Sequence, residues 1–215
     1  MSDLEKNFIA NPAEFLKAGE GGHVIVVPEQ TDADCNSPGA YRFTLEAAGS
    51  NLVLLKPMVM REGDYIHAYY LPWQMYRAAS MKLGADADFF FTSQMTNCRF
   101  TVLDDDVAAP TVAHVSGAVE RGNPSKARDQ MELDANLDTS VTRRRLSVSG
   151  GLAKSPVHEY RGQRPGKESS AFVFGQRDAK KGWSFYAQIV KGNMSTVPEG
   201  VTLTDNLQVL GYVTI

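Results

Sequence analysis

The sequence predicts an α+β fold: a β-rich single domain of packed mixed or antiparallel sheets (β-sandwich-like), flanked by a few helices. Two observations support this class. Short apolar or alternating segments, roughly eight to ten of them, outnumber two or three helical ones. The chain also shows no internal repeat, low-complexity tract or linker that would divide it. Its 215 residues, 43% hydrophobic and 22% charged, suit one globular unit with a substantial core, which we place at residues 1–215.

Helices are predicted at three places. Asn11 followed by Pro12 is a typical helix start, and the glycine-rich segment 19–22 ends that helix. The segment 74–84, QMYRAASMKLG, has a helical composition and closes on a glycine. The charged segment 124–137 predicts a surface helix.

Strands are predicted from β-branched or alternating runs bounded by turn residues. Two segments, 32–40 and 155–170, are rich in turn-forming residues and predict loops. The last two strands before the C-terminal segment are expected to form a hairpin. The predicted strands are 23–29, 41–47, two within 49–73 around a Gly-Asp turn, 86–94, 98–105, 111–119, 171–178, 182–192 and 201–215.

The charge balance bears on the partners of the protein. The net charge is −3, so neither nucleic acid nor an anionic membrane is an expected partner. No apolar run reaches the length of a membrane span. The N-terminal segment lacks the apolar core of a signal peptide, so we expect synthesis without a cleaved signal and folding in a reducing compartment. We expect the protein to be a monomer.

Cysteine and histidine are scarce, with two and four residues respectively. Cys35 and Cys98 are too few for a disulfide framework or a structural zinc site, and they leave a single bridge open. His23, His67 and His158 show no metal-ligand spacing, so we predict no metal and no cofactor. Cys35 lies in a turn-rich segment, and we predict it to be exposed and without a catalytic role.

Cys98 and His114 are the candidate catalytic pair. Two strands joined by a loop would bring these residues face to face. A thiol is a poor nucleophile at neutral pH, and a neighbouring imidazole can take its proton and later return one to the leaving group. The alternative is structural, because a lone cysteine on an aromatic strand is commonly a small buried hydrophobe. The spacing alone leaves both interpretations open.

The segment 69–114, which contains this pair, resembles a toxin family. Its motifs follow the same order as those of the catalytic segment of Burkholderia lethal factor, a toxin related in fold and site to the catalytic domains of the cytotoxic necrotizing factors. The likeness extends weakly to residues 36–45 and 173–188. The residues that carry it are Leu71-Pro72-Trp73, Asp88, Phe90-Phe91-Thr92, Cys98 and His114.

The resemblance implies a glutamine deamidase that uses no cofactor. Cys98 would be the nucleophile that attacks a side-chain carboxamide, and His114 would be the general base and then the general acid. Thr92 matches the third site residue of the family, which orients the imidazole through either its hydroxyl or its backbone carbonyl.

An oxyanion hole is implied next to the nucleophile. The run here is Met95-Thr96-Asn97-Cys98, where the family carries Leu-Ser-Gly-Cys. Backbone N–H groups of Thr96, Asn97 and Cys98 would hold the developing negative charge. Asn97 replaces a glycine, and asparagine is the other residue that tolerates a left-handed backbone well. Trp73 is predicted to pack in the core at the end of its strand, where it could also form a wall of the site.

The resemblance implies a partner that is a host cytosolic protein, of the Rho-type GTPase or the translation-initiation RNA helicase class. The protein would then be made in a bacterial cytoplasm and act in the host cytoplasm. Two alternatives stay open. One is a transglutaminase that uses the same Cys-His pair and passes the acyl group to an amine. The other is a catalytically inactive binding protein on the same scaffold.

Overall fold

The computed structural model describes residues 2–17, 21–58, 65–95, 98–103, 106–118, 123–137, 144–148, 157–160, 169–191 and 208–215. The helices of this part of the chain are α1 (Asp3–Ala10), α2 (Pro12–Phe15), α3 (Glu29–Asp34) and α4 (Pro124–Asp134). Its strands are β1 (Val24–Val26), β2 (Gly39–Ala47), β3 (Leu52–Pro57), β4 (Ile66–Leu71), β5 (Ala78–Lys82), β6 (Phe89–Thr92), β7 (Arg99–Val102), β8 (Thr111–Val115), β9 (Arg144–Val148), β10 (Val157–Tyr160), β11 (Ser169–Asp178), β12 (Gly182–Lys191) and β13 (Gln208–Thr214).

These strands form two mixed sheets. The larger sheet has the order β1-β3-β2-β4-β6-β11-β12-β13, and the smaller sheet has the order β10-β9-β7-β8-β5. Most neighbouring strands are antiparallel, while β1–β3, β4–β6 and β9–β10 run parallel. The α+β class with packed mixed sheets, predicted from the sequence, is confirmed.

An aromatic core joins the two sheets. Phe90 of β6 and Phe185 of β12, in the larger sheet, contact Phe100 of β7 in the smaller one, with ring centroids 5.7 and 5.5 Å apart. All three side chains are buried. Burying a side chain of this size contributes about 2 kcal/mol. This packing fixes the spacing between the sheets, which matters because the candidate site draws on both.

The opposite face of the larger sheet is covered by helices. Phe8 of α1 packs on Phe89 and Phe91 of β6, with ring centroids 5.4 and 5.9 Å apart. Side chains alternate along a strand, so Phe90 faces the smaller sheet while its two neighbours face the helices. Both faces of β6 are therefore buried, which explains why its sequence is an unbroken apolar run.

Helix α4 covers the outer face of the smaller sheet through a buried ion-pair cluster. Arg99 of β7 donates from Nη1 to Glu132 Oε2 and to Asp129 Oδ1, each at 2.7 Å. Thr101 Oγ1 donates to Glu132 Oε1 at 3.1 Å, and Glu132 is fully buried. Because Arg99 and Thr101 face α4, their neighbours along the strand, Cys98 among them, face the space between the sheets.

Several predicted elements are confirmed. Helix α2 begins after Asn11, whose Oδ1 accepts from the Glu14 backbone N–H at 3.1 Å. Strands β11 and β12 form the expected hairpin around 179–181. Helix α4 is present as predicted, but Arg128 and Glu132 are buried, so only part of it is a surface helix.

The helix predicted over 74–84 is wrong. The chain forms strand β5 there, antiparallel to β8, with Ala79 opposite His114. Alanine, methionine and lysine favour a helix intrinsically, but pairing with the edge of a sheet overrides such weak preferences. The correction concerns the site, because β5 supports the strand that carries His114.

Two predicted loops contain regular structure, and one helix was not expected. Helix α3 begins just before the segment 32–40 and buries Cys35, which is 1% exposed, so the prediction of an exposed cysteine is wrong. Strand β10 lies inside the loop predicted at 155–170. Helix α1 starts with a capping box formed by Ser2 and Glu5, a signal that the sequence carries.

Candidate active site

The candidate site lies where strand ends from both sheets meet. In the larger sheet, β4 and β6 run parallel and finish together, with Leu71 opposite Thr92. In the smaller sheet, Phe100 of β7 lies opposite His114 of β8. Cys98 directly precedes β7 and belongs to the same core cluster as Phe100. Cys98 therefore lies on the inner face of the smaller sheet, diagonal to His114, a relation in which Cβ atoms are about 7 Å apart.

Thr92 contacts the imidazole across the gap between the sheets. Its Oγ1 lies 2.7 Å from His114 Nδ1 and 2.6 Å from the Leu71 carbonyl oxygen. A carbonyl can only accept, so the single hydroxyl proton of Thr92 goes to Leu71. The Thr92 oxygen must then accept from Nδ1, which places the ring proton on that nitrogen. The structure therefore brings Thr92 to the imidazole through its hydroxyl.

The other ring nitrogen keeps its lone pair. His114 is fully buried, and its Nε2 has no hydrogen-bonding partner among the described residues. Burial lowers the pKa of His114 from 6.5 to about 3. The resting imidazole is therefore neutral at physiological pH, with an unprotonated Nε2 that can accept a proton.

This burial predicts an acid-linked loss of stability. Between pH 6.5 and about 3, the unfolded chain protonates His114 while the folded protein does not. Stability thus falls with decreasing pH in that window, and the contribution of His114 to the slope is about 1.4 kcal/mol per pH unit. Denaturant unfolding at several pH values between 6 and 4 gives the free energy of unfolding as a function of pH. We expect its slope against pH to be smaller by this amount in His114→Asn, which retains a donor toward Thr92. Equal slopes in the wild type and in His114→Asn would contradict the conclusion that His114 is buried in its neutral form.

The two cysteines occupy different environments. Neither forms a disulfide, so the bridge that the sequence left open is not formed. Cys98 is 5% exposed. Cys35 is buried beside α3, and burial, followed by the charges of Asp34 and Asp32, raises its pKa to about 12. Cys35 is therefore an unreactive thiol.

The remaining predicted site residues are only partly located. Trp73 is half-buried and packs against the core cluster that includes Cys98. Thr96 and Asn97 lie outside the described residues, so the oxyanion hole stays a prediction. Just before them, Met95 exchanges two backbone hydrogen bonds with Ala171 of β11, at 2.8 and 2.9 Å. These bonds anchor the chain where it leaves the larger sheet for Cys98.

Asp88, which is part of the family motif, has a structural contact. Its side chain accepts from Arg177 Nη2 at 2.7 Å, and its backbone carbonyl accepts from the Arg177 N–H at 2.9 Å. The pair joins the start of β6 to β11. Asp88 thus secures the strand that ends at Thr92.

A second polar cluster behind Thr92 was not predicted. Tyr70 Oη donates to Asp32 Oδ1 at 2.7 Å, and Ser93 Oγ donates to the same oxygen. The Trp73 N–H donates to Ser93 Oγ at 2.5 Å. Burial raises the pKa of Asp32. Ser93 adjoins Thr92 in sequence, but no sequence signal connects Asp32 to this place.

The loop 72–77 crosses between the sheets at the same end as Cys98. The Arg77 carbonyl accepts from the Ser116 N–H at 3.0 Å, just beyond His114 on β8. Two large apolar side chains of the loop, Met75 and Tyr76, are 56% and 45% exposed. Tyr76 also has a φ of 58°, which is unusual for a bulky residue. The loop therefore places apolar surface at the rim of the site.

Metal and membrane features are absent from the part of the chain that the structure describes. No group of three or more histidine, cysteine or acidic side chains in it could hold a metal ion. None of its helices combines the length and the apolar character needed to cross a membrane.

Asp106 stabilises the turn that follows β7. Its Oδ1 accepts from the backbone N–H groups of Ala108 and Ala109, each at 3.1 Å.

The molecule thus belongs to the class of α+β proteins with two packed mixed sheets and a Thr-His contact between them. No protein-family model matches the chain, and no curated protein matches its sequence. Among solved structures it is similar to the C-terminal domain of CNFy from Yersinia pseudotuberculosis, with a TM-score of 0.50 and 9% identity. The match covers 83% of this chain and 72% of that one. At this identity the likeness shows the fold alone.

Proposed function

We propose that this protein is a toxin-like, cysteine-dependent deamidase, which converts a glutamine side chain of a host cytosolic protein to glutamate. One observation carries the proposal. The Thr92 hydroxyl holds His114 with its proton on Nδ1, and Nε2 has no hydrogen-bond partner among the described residues. Cys98 lies on the same inner face of the smaller sheet as His114. A nucleophile, a base and a group that orients the base are the parts of a thiol-dependent acyl transfer.

The chemistry follows from the resting protonation state. His114 Nε2 takes the thiol proton as Cys98 Sγ attacks the glutamine Cδ, and the imidazolium then protonates the departing nitrogen, which leaves as ammonia. The carbon–nitrogen bond breaks and a thioester remains. Nε2 next takes a proton from water, whose oxygen attacks the thioester, and the proton returns to sulfur as glutamate leaves. Backbone N–H groups at Cys98 would stabilise both oxyanions.

Fold and motif order support the same class of protein. The sequence motifs resemble a family related to the cytotoxic necrotizing factors, and a solved structure with a similar fold is a CNFy domain. The proposed substrate is a Rho-type GTPase or a translation-initiation RNA helicase, reached in the host cytoplasm by a monomeric protein made without a cleaved signal. The intact Thr92–His114 contact argues against the inactive binding protein, because such a role does not require an oriented base.

Purified candidate proteins of both substrate classes provide the test. Each is incubated with the protein and its peptides are searched by mass spectrometry for a single glutamine converted to glutamate, with Cys98→Ala as the control. A parallel reaction contains a primary amine. Dominant amine incorporation would indicate the transglutaminase, and no modified glutamine in either class would count against the proposed function.

The exposed rim predicts a separate effect on substrate binding. We expect Met75→Ser/Tyr76→Asn to raise KM for the protein substrate about tenfold with kcat within about twofold, because the loop contacts only the substrate surface. Val107 and Leu133 are 49% and 58% exposed, on the loop at the far end of β7 and on α4. Val107→Ser/Leu133→Ser is the matched control and should leave KM unchanged. The same KM in both double variants would exclude the loop as a docking element.

A further inference from the structure

Ser93 and Asp32 lie directly behind the Thr92–His114 contact, and the mechanism above does not use them. We propose that Ser93, held by Asp32, is a positioning residue that determines which ring nitrogen of His114 carries the proton. The catalytic consequence rests on the proposed function, whereas the position of the proton can be measured without it.

The first step is the hydrogen bonding of Ser93. An ionised carboxylate has no proton to donate, so the Ser93 hydroxyl donates its proton to Asp32. The Ser93 oxygen is then oriented to accept from the Trp73 N–H, at 2.5 Å. Tyr70 Oη donates to the same Asp32 oxygen, at 2.7 Å. The cluster therefore fixes the backbone at Trp73.

The second step leads from Trp73 to the Leu71 carbonyl. Pro72 lies between them and has no N–H, so the Trp73 N–H is the first backbone donor after Leu71. Proline also restricts the residue before it. Anchoring Trp73 to Ser93 thus limits rotation of the peptide planes that follow the Leu71 carbonyl. The Ser93 N–H adds a longer contact to that carbonyl, at 3.4 Å.

The third step is the choice of tautomer. While the Leu71 carbonyl stays 2.6 Å from Thr92 Oγ1, it engages the hydroxyl proton, and the threonine oxygen accepts from Nδ1–H. If the carbonyl moves away, the hydroxyl is free to donate to Nδ1 instead. The ring proton would then reside on Nε2, the nitrogen that must take the proton of Cys98. Ser93 therefore keeps Nε2 of His114, the atom that must accept the thiol proton, unprotonated.

Ser93→Ala is the test variant and Tyr70→Phe is its matched control. Each removes one hydrogen bond to Asp32 Oδ1, but only the first breaks the connection to Trp73. Nitrogen-15 NMR of histidine-labelled protein reports the protonation of each ring nitrogen, and His114→Asn assigns the His114 signals among the four histidines. Ser93→Cys, a near-isosteric change with a weak donor, replaces Ser93→Ala if alanine prevents folding.

We expect His114 of the wild type to be in the Nδ1–H form alone. In Ser93→Ala, the Nε2–H form should appear and the Nδ1 proton should exchange about tenfold faster with solvent. Tyr70→Phe should resemble the wild type. Unchanged His114 signals in Ser93→Ala, or equal changes in both variants, would overturn the proposal.

Kinetics on the substrate glutamine then separate this inference from the proposed function. Ser93→Ala should lower kcat about tenfold with KM within about twofold, because the variant alters the base and not the binding surface. A wild type that lacks deamidase activity, but in which the His114 tautomer responds to Ser93→Ala, would retain the positioning role and refute the proposed function. A wild type that deamidates the substrate, but in which the His114 tautomer does not respond to Ser93→Ala, would support the proposed function and refute the positioning role.

Discussion

Cys98→Ala is expected to lower the rate of the proposed glutamine deamidation by a factor of about 10⁴ or more, since loss of the nucleophile removes the covalent route altogether. His114 cannot compensate, because a neutral buried imidazole can accept a proton but has no thiol to activate. The fold should persist, because the change removes one sulfur atom from a well-packed core. The measurement is single-turnover conversion of the substrate glutamine, followed by mass spectrometry.

Cys35→Ala is the matched control for this experiment. Cys35 is the other cysteine of the chain; it is also buried, and its pKa is raised to about 12. Replacing it should leave the single-turnover rate within about twofold of wild type while costing a similar packing energy. A deamidation rate in Cys98→Ala close to that of the wild type, or an equal loss in Cys35→Ala, would rule out Cys98 as the nucleophile.

Thr92→Val is expected to lower kcat by a factor of about 10² to 10³, because the orienting acceptor for Nδ1–H disappears while the side-chain volume is nearly kept. The buried Nδ1–H would lose its partner, and either the other tautomer or a tilted ring would result. The same change removes the hydrogen bond to the Leu71 carbonyl. Unpaired buried groups of this kind should also cost about 1–3 kcal/mol of unfolding free energy.

Thr92→Ser separates orientation from packing, because it keeps the hydroxyl and deletes one methyl group. Its kcat should stay within about fivefold of wild type while its stability falls by about 1 kcal/mol. Activity and stability are measured on the same preparations. If Thr92→Ser and Thr92→Val lose activity in parallel with stability, Thr92 contributes packing alone.

The local parts of the site were predictable from the sequence. Cys98 directly precedes β7 and His114 lies on β8, the next strand along the chain, and the antiparallel pairing of these strands fixes which residues share a face. Thr92 came from the family motif and not from spacing, because its contact with His114 crosses between two sheets. The hydroxyl rather than the carbonyl makes this contact, which no sequence pattern expresses.

Long-range contacts explain what the sequence did not reveal. Asp32 and Ser93 are 61 residues apart, on a short helix and at a strand end. The segment 74–84 has helical composition, yet β8 pairs with it as a strand. In both cases the deciding partner lies far along the chain, so local preference carried no information about it.

The division of the site between two sheets has a consequence for when the protein becomes active. Each sheet alone holds only a fragment, with Thr92 in one and Cys98 and His114 in the other. Contacts that are distant in sequence form slowly and late in folding. The proposed chemistry therefore requires both sheets to be folded and packed together, so a nascent or partly unfolded chain would lack it.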